Sequence, residues 1–176
     1  MESKIKVMST NLSNKIAAGE VVEQLLNVVK ELVENSIDAK STTIKVDLEE
    51  SGTKKITVTD DGIGMNKADA LNCLKRHATS KLYTDEDLFH IHTLGFRGEA
   101  IPSIAAVSKM TIETSDAEEG TYIYIEGGEI KENKSSHLRK GTKISVEDIF
   151  YNVPARLKYM KNIHTELSNI TFYTII

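Results

Sequence analysis

Apolar residues at positions 21, 22, 25, 28, 29, 32 and 33 recur at three- and four-residue spacing, and a helix is the element that gathers such spacing onto one face. One long helix, or two placed end to end, satisfies the stripe. Asn14 is the expected cap at its beginning, and Gly19 weakens any helix that crosses it. Ser36 continues the stripe, while Glu31, Glu34, Asn35 and Asp38 recur on the opposite side. A solvated polar face is the plain explanation of that arc. Glu31 and Asn35 nevertheless stand one turn apart, so a carboxylate and an amide oxygen project together and could hold a water beside a hard cation.

After Ala39 the period falls to two. Ile44, Val46 and Leu48 alternate with charged residues, Ser51-Gly52-Thr53 supplies a turn, and Ile56 and Val58 alternate again. Two such strands joined by a short glycine-containing turn predict an antiparallel hairpin. Its second strand runs into Asp60-Asp61-Gly62-Ile63-Gly64-Met65. Gly62 and Gly64 permit a tight turn and close approach of a ligand, and the acid just before them ends the strand facing whatever approaches. Standing alone this is an acidic turn. It is not the dinucleotide fingerprint, because Lys67 occupies the place of the third glycine, and the chain has no GxxxxGK[ST] loop.

Asn66 caps a predicted helix carrying Ala70, Leu71, Leu74 and Ala78, with Cys73 and His77 on one face. Two such ligands are too few for zinc, and His90 and His92 have no companions, so metal binding through His or Cys is not expected. Thr79, Ser80 and Lys81 then bring two hydroxyls and an ammonium together, and Thr84 with Asp87 resembles the cap of a short helix through Phe89. Gly95-Phe96-Arg97-Gly98 feeds a helical stretch from Ile101 to Val107, with Pro102 tolerated in its first turn. A glycine-flanked loop at a helix N-terminus offers free N–H groups to a phosphate, and Arg97 adds a permanent charge.

The remainder reads as β-structure. Met110, Ile112 and Thr114 alternate, as do Tyr122 and Tyr124 against Ile123 and Ile125, and Gly127-Gly128 makes a turn. Residues 133–141 read as a polar loop, and Gly141-Thr142 opens a strand with Ile144 and Val146. Asn152-Val153-Pro154-Ala155-Arg156 turns into a helix with Leu157 and Met160, and a last helix carries Leu167, Ile170 and Ile175.

With 176 residues, 40% of them hydrophobic, the chain can bury a core as one domain. The net charge of −4 argues against a strongly basic nucleic-acid surface. A single cysteine forbids an intrachain disulfide, and no apolar run matches a membrane span or a signal peptide, so a cytoplasmic protein without membrane attachment is expected. The apolar end Phe172-Tyr173-Thr174-Ile175-Ile176 suggests a docked last element or a piece of a longer protein.

Taken in order, Ile16 to Val22, Glu31 to Ala39, Asp60 to Met65, Arg76 to Lys81, Gly95 to Ala100 and Asn152 to Arg156 resemble the N-terminal ATPase domain of the MutL DNA mismatch-repair family. Six motifs in a fixed order make that resemblance specific, and it covers nearly the whole chain. It implies the α+β fold of the GHKL (Bergerat) ATPases, a two-layer α/β sandwich with helices on one face of a mixed, largely antiparallel sheet. It implies ATP and Mg²⁺ as cofactors. Glu31 would be the general base for the attacking water and Asn35 the Mg²⁺ ligand. Asp60 would accept from the adenine amino group, with Gly62 and Gly64 passing close to base and sugar. Thr79, Ser80 and Lys81, with Gly95, Phe96, Arg97 and Gly98, would border the phosphates and a nucleotide-covering lid, and Thr142 would support the adenine-side hydrogen bonds.

The resemblance also implies a nucleotide-driven conformational and dimerisation switch, with a homodimer, the mismatch-recognition protein MutS and DNA as partners of the full-length protein. Residues 1–176 would be the ATPase domain alone, monomeric in isolation and weak in hydrolysis. The family's second, transducer domain supplies a lysine to the γ-phosphate, and neither it nor the C-terminal dimerisation domain is in this sequence. A topoisomerase-type ATPase subunit is another enzyme reading, against which the Gly-Phe-Arg-Gly-Glu-Ala and Asn-Val-Pro-Ala-Arg segments speak. The reading of a different class is an ATP-binding or partner-recruiting module with little or no hydrolysis. The sequence departs from the family at Glu23-Gln24-Leu25-Leu26-Asn27, where a basic residue and then proline are usual. Without that helix breaker, residues 20–39 could form one longer helix, or the entry could be disturbed.

Overall fold

The computed structural model describes residues 6–78, 98–158, 160 and 163–174. Helix α1 (Thr10–Val21) and helix α2 (Leu25–Asp38) precede a hairpin of β1 (Ile44–Glu49) and β2 (Lys55–Asp60), closed by a 3-10 turn at Glu50–Gly52. Helix α3 (Lys67–Asn72) and helix α4 (Ala100–Ala106) follow, then β3 (Lys109–Ser115), β4 (Gly120–Glu126), β5 (Glu129–Ser135) and β6 (Gly141–Glu147). Helix α5 (Pro154–Leu157) and helix α6 (Ile163–Thr174) complete the described chain.

The strands form one six-stranded sheet in the order β1-β2-β6-β3-β4-β5. Every neighbouring pair is antiparallel, so the largely antiparallel sheet that the resemblance implies is antiparallel throughout its described strands. Because side chains alternate across a strand, the register sorts them into rows. One row places Leu48, Ile56, Val146, Met110 and Ile125 side by side, and another places Val46, Val58, Ile144, Ile112 and Ile123. These rows join Val28, Val29 and Leu32 of α2 in the core. The intervening positions, among them Lys55, Glu147 and Lys109, carry polar residues to the other face, where Lys55 meets Glu147 at 3.0 Å.

Several boundaries differ from the sequence reading. The α1 cap is Ser9, whose Oγ accepts from the Leu12 N–H at 3.3 Å, rather than Asn14. Gly19 lies within α1, at a place where a Cβ would run into the Arg156 guanidinium. Helix α3 stops at Asn72, so Cys73 and His77 do not share a helical face. His77 has a left-handed backbone (φ 60°) and donates its N–H to the Gly98 carbonyl at 3.2 Å, which turns the chain out of the helix. Residues 133–135 belong to β5, not to a loop. All seven residues of that edge strand are exposed, so burial imposes no period on its sequence. Met160 lies beyond α5, and in α6 Ile170 is buried while Leu167 is exposed. The short helix read between Thr84 and Phe89 lies outside the described residues, as do His90, His92 and Ile175.

The segment without its proline resolves into two helices broken at residues 22–24. The Asn27 side chain closes the break by accepting from the Gln24 N–H at 2.9 Å and the Glu23 N–H at 3.3 Å. Leu25, the first residue of α2, donates its N–H to Glu166 Oε2 at 3.2 Å from a carboxylate that is 0% exposed. The N-terminus of α2 is thus satisfied by a residue 141 positions away, in α6. Replacing Glu166 with alanine is expected to lower stability by about 1.5–3 kcal/mol, the usual worth of a hydrogen bond to a charged group, in urea unfolding. Unchanged or increased stability would show that the buried carboxylate, whose Oε1 makes no hydrogen bond, is a net burden.

Candidate functional site

A third row crosses the helix-covered face of the sheet, and it is polar. Asp60 on β2 stands opposite Thr142 on β6, Thr142 opposite Thr114 on β3, and Thr114 opposite Thr121 on β4. The neighbouring rows are apolar, so this line of a carboxylate and three hydroxyls forms the polar floor at one end of an otherwise apolar layer.

Asp60 is held from three elements. Ser36 Oγ of α2 lies 2.7 Å from its Oδ2, while the N–H groups of Gly62 and Thr142 donate to Oδ1 at 2.9 and 3.2 Å. A carboxylate accepts about four hydrogen bonds, so Oδ1 is filled and one lone pair remains on Oδ2. That acceptor suits an amino group. The adjacent Asp61 is committed elsewhere. It accepts from the hydroxyl of Thr42 at 2.6 Å and from the N–H groups of Thr42 and Thr43 at 2.7 and 2.9 Å, fixing the loop between α2 and β1. The Thr42 hydroxyl foremost, then the Thr43 N–H, hold the Asp61 carboxyl down at about 2. Its contribution to the loop is complete above the ordinary aspartate range and is lost as pH falls through about 2.

The glycine turn fits between these elements. Ile63 donates its N–H to the Ala39 carbonyl at the end of α2 at 2.9 Å, and the Met65 N–H donates to Thr114 Oγ1 at 2.9 Å. Gly64 has φ +68°, and a Cβ there would collide with the Ser115 carbonyl. The turn therefore joins α2 to the sheet across the polar row.

Glu31 and Asn35 lie one turn apart on α2, both partly exposed, with Ser36 beside Asn35 facing Asp60. Lys30 reaches Glu34 at 3.8 Å. Tyr173 of α6 has its hydroxyl pushed up by burial first, and then by the charges of Glu34 and Glu31. Of the residues read as bordering the phosphates, Gly98 is placed, with φ +60° and the Ala78 carbonyl where a Cβ would stand. His77 Nδ1 lies 3.3 Å from Glu99 Oε1 at the same point. Thr79, Ser80, Lys81, Gly95, Phe96 and Arg97 lie outside the described residues.

Ser36, Thr114 and Glu166 were not among the candidates read from the sequence. Ser36 carried a signal, a small hydroxyl continuing an apolar stripe toward the core. Thr114 became recognisable through strand register, and Glu166 through long-range packing. Among the described residues no group of three or more His, Cys, Asp or Glu side chains could hold a metal ion.

The chain matches the family described as histidine kinase-, DNA gyrase B-, and HSP90-like ATPase over residues 23–160. It is 58% identical over 172 residues to the DNA mismatch repair protein MutL of Listeria innocua serovar 6a, covering 97% of this chain and 28% of that protein. It is 57% identical over 168 residues to the DNA mismatch repair protein MutL of Citrifermentans bemidjiense, covering 94% of this chain and 26% of that one. The chain thus spans little more than a quarter of the length of these relatives. Its structure is similar to the Aquifex aeolicus MutL ATPase domain complexed with ADP, with a TM-score of 0.66 and 30% identity over 88% of this chain and 54% of that one. It is also similar to the N-terminal domain of a DNA repair protein, with a TM-score of 0.74 and 27% identity over 90% of this chain and 46% of that one.

Proposed function

Since the chain belongs to the histidine kinase-, DNA gyrase B- and HSP90-like ATPase family, we propose that it is the ATP-binding and ATP-hydrolysing domain of a MutL-like DNA mismatch-repair protein. The observation that carries this reading is Asp60, held by Ser36, Gly62 and Thr142 with one acceptor position left on Oδ2. The adenine amino group is a donor of the right kind for it, and guanine presents a carbonyl in that place.

Glu31 is the group that orients and deprotonates the attacking water, one turn from the metal-binding residue on a helix fixed at both ends. Asn35 would offer its amide oxygen to Mg²⁺, a hard cation that keeps several waters and uses few protein ligands. When bound, the metal neutralises charge developing on the phosphates. The protein's share in phosphoryl transfer is positioning and charge stabilisation. Thr79, Ser80 and Lys81 and the segment Gly95 to Gly98 would border the phosphates, and the approach of Ala78 to Gly98 brings the flanks of these motifs together.

Residues 1–176 act as the ATPase domain of a longer protein whose further domains supply the transducer lysine and the dimer contact, so hydrolysis by this piece alone is slow. Nucleotide binding would drive homodimerisation. Leu12 and Ile16, one turn apart on α1 and 49% and 48% exposed, offer apolar surface for a second copy. MutS and DNA are partners proposed for the full-length protein. A cytoplasmic setting fits the free Cys73, whose thiol is pushed up to about 12 by burial and, less, by Asp69.

Titration of the chain with ATP, with and without Mg²⁺, tests the assignment. Saturable binding that Mg²⁺ tightens is expected, and no saturable binding under either condition overturns it. In the Asn35→Ala variant the affinity without Mg²⁺ should remain within about twofold, while the gain from Mg²⁺, about fivefold or more for a charge-assisted contact, should vanish.

A further inference from the structure

We propose that Glu166 is a positioning residue for the Glu31–Asn35 pair, acting through the Leu25 N–H to keep α1 and α2 from joining into one helix. The inference rests on the reading of Glu31 as the water-activating group and Asn35 as the metal ligand. The apolar stripe runs through positions 21, 22, 25, 28 and 29 without a gap, so side-chain burial alone would accept a continuous helix. Such a helix would bond the N–H groups of Glu23, Gln24 and Leu25 to the carbonyls of Gly19, Glu20 and Val21, each four residues back.

All three N–H groups are claimed by side chains instead. The last bond of α1 runs from the Val22 N–H to the Ala18 carbonyl at 2.8 Å. The Glu23 and Gln24 N–H groups then go to Asn27 Oδ1, and the Leu25 N–H goes to Glu166 Oε2. Asn27 belongs to α2 and moves with it. Glu166 belongs to α6, whose Ile170 is buried in the same core as Leu25 and Val29, so it holds the joint from outside. Leu25 is 0% exposed, which leaves its N–H no water to turn to. Without the carboxylate, the Val21 carbonyl is the acceptor that a helix offers, and reaching it requires residues 22–24 to become helical.

That change would reach the site. Val22 and Gln24 are extended, and each residue passing from extended to helical shortens the chain by about 1.8 Å. Helix α1 is seated by Gly19 against Arg156, and the far end of α2 by Ser36 against Asp60 at 2.7 Å. Shortening the joint between two seated elements pulls along α2, on which Glu31 stands about 9 Å beyond Leu25. A displacement of about 1 Å can cost on the order of a hundredfold in a positioned reaction.

The test uses Glu166→Leu, which removes the acceptor at similar volume, Glu166→Gln, which keeps an oxygen, and Leu25→Pro, which removes the N–H. Proline is tolerated at the first helical position, and Gln24 before it (φ −139°, ψ 160°) has the extended backbone that suits a following proline. The packing lost with Leu25 is common to both arms of the cycle and cancels. Single-turnover phosphate release with saturating protein reads the rate per bound ATP. Glu166→Leu should lower that rate by about tenfold or more, and Glu166→Gln should keep it within about twofold. Leu25→Pro/Glu166→Leu should match Leu25→Pro alone. A merely structural role would lower the yield of active protein and leave the rate per bound ATP at its parental value, which overturns the proposal. An equal loss in both Leu25 backgrounds also overturns it. If Glu166→Leu does not fold, the proposal requires Leu25→Pro/Glu166→Leu to fold, and failure of both overturns it. The Cα chemical shifts of Glu23 and Gln24 read the joint without nucleotide. Helical values are expected in Glu166→Leu, and parental values overturn the joining of the helices. Parental turnover in Glu31→Ala would instead remove the reading of the pair on which the proposal stands, with the chemical shifts still deciding the joint.

Discussion

Replacing Glu31 with alanine should leave ATP affinity within about twofold of the parent while single-turnover phosphate release falls about 10²–10⁴-fold, the range for loss of a positioned general base. The separation follows from where the residue sits. Glu31 lies on α2 one turn before Asn35, whereas the groups proposed to recognise the base are Asp60 and its hydrogen-bond partners Ser36, Gly62 and Thr142. The three hydrogen bonds to Asp60 come from Ser36, Gly62 and Thr142, so loss of the Glu31 carboxylate removes none of those three. Single-turnover conditions with protein in excess suit the slow hydrolysis proposed for this chain, and phosphate release is read directly. Equal turnover in the two proteins would sink the catalytic assignment. A parallel loss of binding would move Glu31 from the chemical step to nucleotide positioning.

The second large effect is expected at Gly64. Alanine there must adopt a left-handed conformation (φ +68°) and must also clear the Ser115 carbonyl. The conformation costs about 1–2 kcal/mol and the overpacking about 1–3 kcal/mol. Backbone on both sides of the contact leaves no flexible side chain to give way, so the turn must shift. That shift would draw the Met65 N–H away from Thr114 and the Gly62 N–H away from Asp60, so ATP affinity should fall at least tenfold, with a lower urea midpoint. Gly62→Ala is the informative companion. Gly62 has no positive φ, and a Cβ there would lie 2.7 Å from the Ser41 hydroxyl and 2.8 Å from the Ala39 carbonyl, a milder overlap than the collision at Gly64, so its loss should be smaller. Parental ATP affinity in Gly64→Ala would show that the turn does not shape the site.

Periodicity made much of this fold legible. The stripe of Val28, Val29 and Leu32 announced α2, and alternation announced the hairpin, because those residues face a core on one side only. The same logic failed for β5, which buries no side and carries no period. It also left the helix break open. Leu25 continues the stripe without interruption, and the groups that end the run, Asn27 and the distant Glu166, act through hydrogen bonds to backbone that no hydropathy pattern encodes. Asp60 and Asp61 look equivalent in sequence. They separate only when Thr42 and Thr43 are seen to claim Asp61, leaving Asp60 facing the row. Thr114 stood in plain view as an alternating strand residue, and strand register gave it neighbours.

That register bears on how the molecule comes into being. The first hairpin, β1 with β2, and the later run of β3, β4 and β5 are each joined through neighbours close in sequence, yet among the described strands they meet only through β6, the sixth in sequence. Closing the sheet requires β6 to enter between β2 and β3, bridging residues more than 80 positions apart, such as Asp60 and Thr142. Until it enters, the inner edges of both halves carry unpaired backbone groups of the kind that invite aggregation. The insertion that seals them also sets Thr142 between Asp60 and Thr114. A binding-competent floor therefore exists only in chains whose sheet has closed, and nucleotide occupancy would report completed folding as well as readiness to act.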